Sequence, residues 1–488
     1  MTLHVETPAT GKRSPAPATA RSGMSPRMLD GLALTCLLLV MGRVTLHAAQ
    51  PLSNGDTWFH LRIGHELWGP WSLGHPGRLS SGATSAWVPT QWSTEMLAAK
   101  AEDWFGLPGV AWLFGAMFLA FIVVVYAVCR REGSTLPATV SCGLAVIAST
   151  PALSARPQVV SLALVALAVA LWLRAWRVGT VPWVLVPVTW VWATAHGLWS
   201  AGVVVGVVCV VGLVLDRRVT RRVAVRMAAV PIASVVAACL TPLGPRLLTS
   251  QVAVGERTHL IGEWQATSFR TVSAFVVAVM IAGVVARWAR RGNVPWTHLL
   301  LLLLACGWAA LVTRMVPVAA VIVAPLLAGG LQELLETRTP WQRPRRLEKL
   351  VVGAGVAVCL VALAVAVPHT AERAGGVPSG LEPRLAALPT GTAVAVEDPT
   401  GAWIEWRFPG LDPTIDGMLD AYPAPYIQGF ADYRDVKPGW QDYLQDTGAR
   451  VAVLLKGSPL SAAVQDQLGW KVVDRDGPYL YLEAPESP

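Results

Sequence analysis

Charge is scarce in this chain. Only 14% of its 488 residues are Asp, Glu, Lys or Arg, against about 25% in ordinary soluble domains. With 53% hydrophobic residues and a mean hydropathy of +0.49, most of the chain belongs in a bilayer. The net charge of +8 does not mark a nucleic-acid binder, because the basic residues form short clusters between apolar runs and not one soluble basic face. Cysteine in ligand-type spacing is also missing. The seven cysteines, Cys36, Cys129, Cys142, Cys209, Cys239, Cys306 and Cys359, all lie in or at the ends of apolar runs without C-x-x-C pairs. This excludes a zinc or disulfide framework and reads as packing. No internal repeat at a fixed period is visible, which disfavours the inverted-repeat architecture of many transporters.

What is present is a series of long apolar runs. Residues 1–27, rich in Pro, Ala, Ser and Thr, read as a disordered tail on the cytoplasmic side. Runs then follow at 29–49, 109–129, 135–151, 157–173, 181–195, 198–215, 227–241, 272–288, 296–312, 316–331 and 350–367, which makes about eleven spans. Arg43 inside the first run and the long tail before it favour a retained signal-anchor helix over a cleaved signal peptide. With the N-terminus inside, 21 Lys and Arg flank spans on the inner side against 8 on the outer. The positive-inside rule therefore predicts a cytoplasmic N-terminus and an extracytoplasmic C-terminus. The expected fold is an α-helical polytopic membrane protein, with a membrane domain over 28–368 whose first outer loop is 50–108. A small soluble α/β extracytoplasmic domain follows at 369–488. In it "TAVAVE" and "ARVAVLL" read as buried strands, "KVVDRDGPYLYLE" as a hairpin around Asp476-Gly477, and 436–446 and 459–469 as helices.

The predicted topology sorts the unusual polar residues onto one side. "NGDTWFHLRIGHELW" follows the first span and carries Asp56, His60, Arg62 and Glu66. Arg156 in "SARPQ", His196 in "WATAHG", Arg246 in "LTPLGPRLL", Glu263 and Trp264 in "IGEWQ", and Arg314 in "VTRMVP" mark later outer turns. Arg43 and His47 share a face in the outer half of the first span. An ionisable group near the membrane interior costs about 2.5–3.5 kcal/mol on insertion scales, so this one-sided collection predicts a polar cavity opening outward. The stretch from Thr57 is expected to be an interfacial helix with Asp56 as N-cap. Asp56, His60 and Gly64 would lie along one face, with Trp58, Leu61 and Trp68 in the membrane surface. Glu95 in "QWSTEML" reads as surface polarity. "DRD" at 474–476 falls in the predicted hairpin, where Asp-Gly is ordinary turn chemistry.

An acid in the first outer loop of such a bundle resembles the GT-C class of integral-membrane glycosyltransferases. Asp56, His60 and Arg62 match a "D-x-x-x-H-x-R" pattern similar to the first-loop motif of archaeal oligosaccharyltransferase catalytic subunits. The set "GDTWFHLRIG", "QWSTEML", "ARPQ", "WATAHG", "TPLG", "GEWQ" and "TRMVP", in that order, looks like a broad group of bacterial membrane proteins assigned to the class. The "WWD" signature of oligosaccharyltransferases and the paired "DE" of O-mannosyltransferases and aminoarabinose transferases are absent, so the resemblance reaches the class and not a subfamily.

The resemblance implies transfer of a sugar from a polyprenyl-phosphate-linked donor to an extracytoplasmic glycan, lipid or protein acceptor, in the plasma (inner) membrane and in contact with its lipids. Asp56 is the candidate base, or with His60 the ligand of a divalent cation (Mg or Mn). Arg62, Arg156, Arg246 and Arg314 are candidate donor-phosphate partners, since a guanidinium fork fits phosphate oxygens. Arg43, His47, Glu66, His196, Glu263 and Trp264 are candidates for the cavity or the substrate. Each has a plainer reading as a cap, an i,i+4 pair or an interfacial anchor. A lipid-carrier flippase or transporter, and a non-catalytic envelope-assembly scaffold, are the alternatives.

Overall fold

The computed structural model describes residues 25–250, 262–290, 292–335, 341, 343–397 and 400–485. The first 24 residues of the expected tail lie outside them. The helices of the membrane part are α1 (Pro26–Ala48), α2 (Gly55–Trp68), α3 (Trp92–Glu132), α4 (Thr135–Ser149), α5 (Gln158–Val178), α6 (Leu185–Ala195), α7 (Trp199–Leu215), α8 (Arg221–Cys239), α9 (Val272–Ala289), α10 (Trp296–Leu311), α11 (Val316–Leu335) and α12 (Arg346–Thr370). Eight described helices are long and apolar enough to cross a membrane. Helices α6, α7 and α10 are apolar but shorter. At about 1.5 Å per residue, the 11 residues of α6 fall well short of a hydrocarbon core about 30 Å thick.

Packing follows composition. Helix α11 runs through the centre, with every residue from Val316 to Ala328 buried. Around it pack α3, α4, α5, α9 and α10, while α1 and α12 pair at the edge. At the end predicted to face the cytoplasm, Arg130 donates to both carboxylate oxygens of Glu348 at 2.8 and 3.0 Å, and the Tyr126 hydroxyl donates to the same acid at 2.9 Å. Arg130 is buried, so this residue of the inner basic set is an internal cross-link between α3 and α12.

Two departures near the first outer loop shape the site. Helix α3 begins at Trp92, well before the apolar run, and breaks at Gly106, whose φ of +64° only glycine adopts without strain. Pro108 follows the break, so residues 92–105 are set apart from the spanning part. Helix α2 starts one residue before Asp56, and its N-cap is Asn54, whose side chain accepts the Asp56 N–H at 3.1 Å. Asp56 is therefore not the cap, and its carboxylate is left for other partners.

The C-terminal part has a five-stranded sheet: β1 (Ala393–Val396), β2 (Asp412–Pro413), β3 (Val451–Leu455), β4 (Lys471–Asp476) and β5 (Tyr479–Glu483), in the order β2-β1-β3-β5-β4. Strand β1 lies parallel to β2 and β3, whereas β5 is antiparallel to β3 and β4. The sheet is flanked by α13 (Glu382–Ala386), α14 (Thr400–Arg407), α15 (Ala424–Arg434), α16 (Trp440–Thr447) and α17 (Pro459–Leu468). Ser458 caps α17, and Gly469 closes it in a left-handed turn. In the "DRD" stretch, Asp474 pairs with Arg384 and Asp476 accepts the Gly380 N–H, both structural contacts.

This C-terminal part rests on α2. Helix α14 packs along it, with the Trp406 ring 4.9 Å from that of Trp58. Trp58 and Leu61 are thus fully buried beneath the C-terminal domain and do not lie in the membrane surface as the sequence suggested; Trp68 is exposed. Periodicity gave the apolar face of α2 correctly but not what covers it.

Candidate active site

Four of the sequence-selected residues form one chain of charges. Arg156 lies in the turn between α4 and α5, with its side chain 9% exposed. Its Nη1 donates to Asp56 Oδ2 at 2.7 Å and to Glu263 Oε1 at 3.2 Å. The other Glu263 oxygen accepts from Arg314 Nη1 at 3.2 Å, and the Arg314 guanidinium lies 5.7 Å from the centre of the Trp264 ring. Four separate stretches of sequence therefore meet, with one carboxylate bridging two guanidiniums. Burial of the Arg156 charge is tolerable because two carboxylates match it, while Asp56, Glu263 and Arg314 keep part of their side chains accessible.

The turn carrying Arg156 is fixed from several sides. His47 Nε2–H donates to Leu153 O at 2.8 Å, Thr57 Oγ1 donates to Ala155 O at 3.1 Å, and Arg156 Nε donates to Ser154 Oγ at 3.0 Å. His47 thus supports the arginine turn, while Arg43 is exposed on α1 and is not brought into the cluster. Pre-organisation of this kind holds a guanidinium ready for an anion without a further ordering cost.

A second polar group lies under α2. His60 is buried, and its Nδ1 lies 2.8 Å from Glu95 Oε1. Glu95, read from sequence as surface polarity, is 2% exposed, and its other oxygen has no partner among the described residues. Its signal was subtle. Glu95, Ala98 and Ala99 share a face at helical spacing, and this small-residue face admits Gly64 of α2 so closely that a Cβ there would lie 2.2 Å from Glu95 O. On the far side, the Ser161 hydroxyl donates to His196 Nδ1 at 2.7 Å, and Leu198 N–H points to the same nitrogen at 3.3 Å. Two donors at Nδ1 fix the tautomer with the proton on Nε2. Burial holds His196 well below the usual histidine range, helped by the charges of Arg314, His60 and Arg156, so it stays neutral.

The remaining candidates lie elsewhere. Arg62 pairs with Glu66 one turn along α2. Arg246 donates to the carbonyls of Gly74 and Leu73 at 2.8 and 3.5 Å and pins the first loop. Sequence reasoning named no residue of the C-terminal part beside Asp56: Gly417 sits there, and a Cβ at that position would be 3.9 Å from Asp56 Oδ1. As arranged, Asp56 is engaged by a guanidinium and His60 by Glu95. Among the described residues no three His, Cys, Asp or Glu side chains gather to hold a metal ion, and no step below is routed through a cation.

The helical bundle, the capping α/β unit and the charge chain at their junction define a membrane protein with the GT-C-like fold that the motifs resemble. Among solved structures, the chain is similar to the archaeal oligosaccharyltransferase AglB from Archaeoglobus fulgidus in complex with an inhibitory peptide and a dolichol-phosphate, with a TM-score of 0.52 and 11% identity over 93% of this chain and 75% of that one. It is also similar to ArnT from Cupriavidus metallidurans bound to undecaprenyl phosphate, with a TM-score of 0.50 and 15% identity over 94% of this chain and 98% of that one. At these identities the likeness is one of fold. No family model matches the sequence, and no curated protein matches it either.

Proposed function

We propose that this chain is a membrane glycosyltransferase that moves a sugar from a polyprenyl-phosphate donor to an extracytoplasmic envelope acceptor. In this reading the eight long helices cross the plasma membrane together with the shorter α6, α7 and α10, whose ends bundle neighbours shield, the N-terminus is cytoplasmic, and the charge chain opens outward. The observation that carries the proposal is the Glu263 carboxylate, whose two oxygens bridge Arg156 and Arg314 at 3.2 Å each beside Asp56. A phosphate presents the same kind of paired anionic oxygens to guanidinium groups.

The reaction follows from these positions. Donor phosphate takes the place of the Glu263 carboxylate between the two arginines. Asp56, 35% exposed at its side chain, accepts the proton of the acceptor hydroxyl. A bond forms between that oxygen and the anomeric carbon, the bond from the anomeric carbon to the phosphate oxygen breaks, and polyprenyl phosphate leaves with its charge held by Arg156 and Arg314. His60 is oriented by Glu95, and His196 is neutral. Asp56 Oδ2 is held by Arg156, so a divalent cation would be held through Oδ1, and there it would add positive charge beside the guanidiniums.

The test compares polyprenyl-linked sugars and envelope glycans in cells carrying the wild type or Asp56→Asn, with membrane insertion verified. Accumulation of the donor and loss of one glycan substituent is the expected outcome; unchanged glycans in the Asp56→Asn cells would sink the assignment.

A further inference from the structure

We infer that Glu405 and Asp416 share one proton and act as a positioning pair that seats the loop from Ile415 to Ala421 against Asp56. Glu405 lies on α14, the helix that packs on α2, and Asp416 lies in the segment after β2. Both are buried, at 2% and 1% exposure. Asp416 Oδ1 accepts the Met418 N–H at 2.7 Å. With both acids ionised, Asp416 Oδ2 and both oxygens of Glu405 find no hydrogen-bond partner among the described residues. Yet the two side chains face each other within hydrogen-bonding reach. Two carboxylates are acceptors only, so the contact becomes a bond when one of them carries a proton.

The neighbourhood favours that proton. Glu405 is faced by Asp416, by Asp412 of β2 and by Arg62 of α2, and the Arg62 guanidinium is already paired with Glu66. Asp416 is faced by Glu405, Tyr422 and Tyr426. Burial pushes Glu405 well above the carboxylate range, with the negative charge of Asp416 adding to the effect, and pushes Asp416 up to about 6.

The pair joins the two parts of the C-terminal domain that touch the site. On one side α14 stacks Trp406 on Trp58. On the other, the segment after Asp416 places Gly417 beside Asp56 and is held to the first loop by Ser85 N–H donating to Ala421 O at 2.8 Å. If the loop is released, both acids regain ordinary carboxylate behaviour, near 4. The seated state then binds more protons than the released state, so seating is strongest at low pH and weakens as pH rises. Asp416 is half-titrated at about 6, and from above that point up to the raised value of Glu405 the difference is one proton. The equilibrium between seated and released loop then shifts about tenfold per pH unit.

The test is hydrogen exchange of peptides covering 412–422 in the full chain reconstituted in nanodiscs, from about pH 6 to about pH 9, each rate divided by the intrinsic exchange rate at that pH. The wild type is expected to lose protection as pH rises above about 6, by about tenfold per pH unit while the pair holds its one proton, and to level off beyond the raised value of Glu405. Glu405→Gln supplies a permanent neutral donor and is expected to hold the loop with a flat profile. Glu405→Met also removes the titrating carboxyl; it is expected to give a flat profile at lower protection and serves if the first variant does not fold. A flat wild-type profile, a slope that persists in Glu405→Gln, or loss of protection on adding EDTA to the wild type would each overturn the inference. The positioning role for Asp56 rests on the transferase reading, but this measurement does not depend on transfer activity, so the two can fail separately.

Discussion

Replacing Gly64 by alanine sets two effects against each other. Alanine is the better helix former by about 1 kcal/mol, so α2 in isolation would gain. In the protein, the new Cβ would lie 2.2 Å from Glu95 O, 2.7 Å from Glu95 C and 2.9 Å from the Ala99 Cβ, where ordinary contact begins at 3.4 Å. Two of the three obstacles are backbone atoms, so no side-chain rotation relieves them. Helix α2 must move away from α3 by about 1.2 Å, the distance between 2.2 and 3.4 Å. Overpacking of this kind costs about 1–3 kcal/mol, enough to outweigh the helix-propensity gain. The same movement stretches the His60–Glu95 contact, now 2.8 Å, and shifts Asp56 relative to Arg156. A displacement of about 1 Å in a reacting group costs on the order of 100-fold in rate. Thermal unfolding of the purified variant in detergent measures the first effect, and sugar transfer in proteoliposomes measures the second. A Gly64→Ala protein that unfolds at or above the wild-type temperature would refute the close-packing argument.

Two further outcomes follow from buried and half-buried charge. Glu348→Gln removes the carboxylate charge to which the buried Arg130 guanidinium donates twice and is expected to lower stability by about 3–5 kcal/mol; in unfolding experiments the double variant Arg130→Met with Glu348→Leu should lose less. His65 is pushed above its ordinary value of 6.5 by its hydrogen bond to Glu102, the largest cause, and by the charges of Glu102 and Asp103. Its contribution is therefore fully present below pH 6.5 and lost as pH rises through the raised value. Unfolding followed across that window should show the decline in the wild type and its absence in His65→Gln.

What the sequence made legible and what it hid differ in physical kind. Scarce charge makes each intramembrane ion conspicuous, and predicted sidedness was enough to select Asp56, Arg156, Glu263 and Arg314, which the fold brings together from four stretches. Apolar period and length gave the apolar helices, eight of which are long enough to cross a membrane, and the hairpin around Gly477. Tertiary contacts were not legible. Only the small-residue face shared with Ala98 and Ala99 marks Glu95 locally, because its burial depends on Gly64 from another helix. Trp58 reads as an interfacial anchor until α14, more than 300 residues later, is laid over it. The cap at Asn54 differs from the expected one by two residues, a small offset that changes the role of Asp56 from helix terminus to ion-pair partner. Arg62, Arg156, Arg246 and Arg314 look alike in sequence, and only their partners separate the two that share Glu263 from those held by Glu66 and by loop carbonyls.

The central claim is that Arg156 and Arg314 form an anion cradle for the phosphate of a lipid carrier, with Asp56 beside it. Its most direct test is the binding of a short-chain polyprenyl monophosphate to the reconstituted protein, measured by titration calorimetry. Saturable binding is expected in the wild type, with a loss of at least about tenfold in Arg156→Ala and in Arg314→Ala, one charged hydrogen bond being worth about 1.5–3 kcal/mol. Asp56→Asn should bind as well as the wild type or better. Equal binding by all four proteins, or no binding by the wild type, would contradict the account.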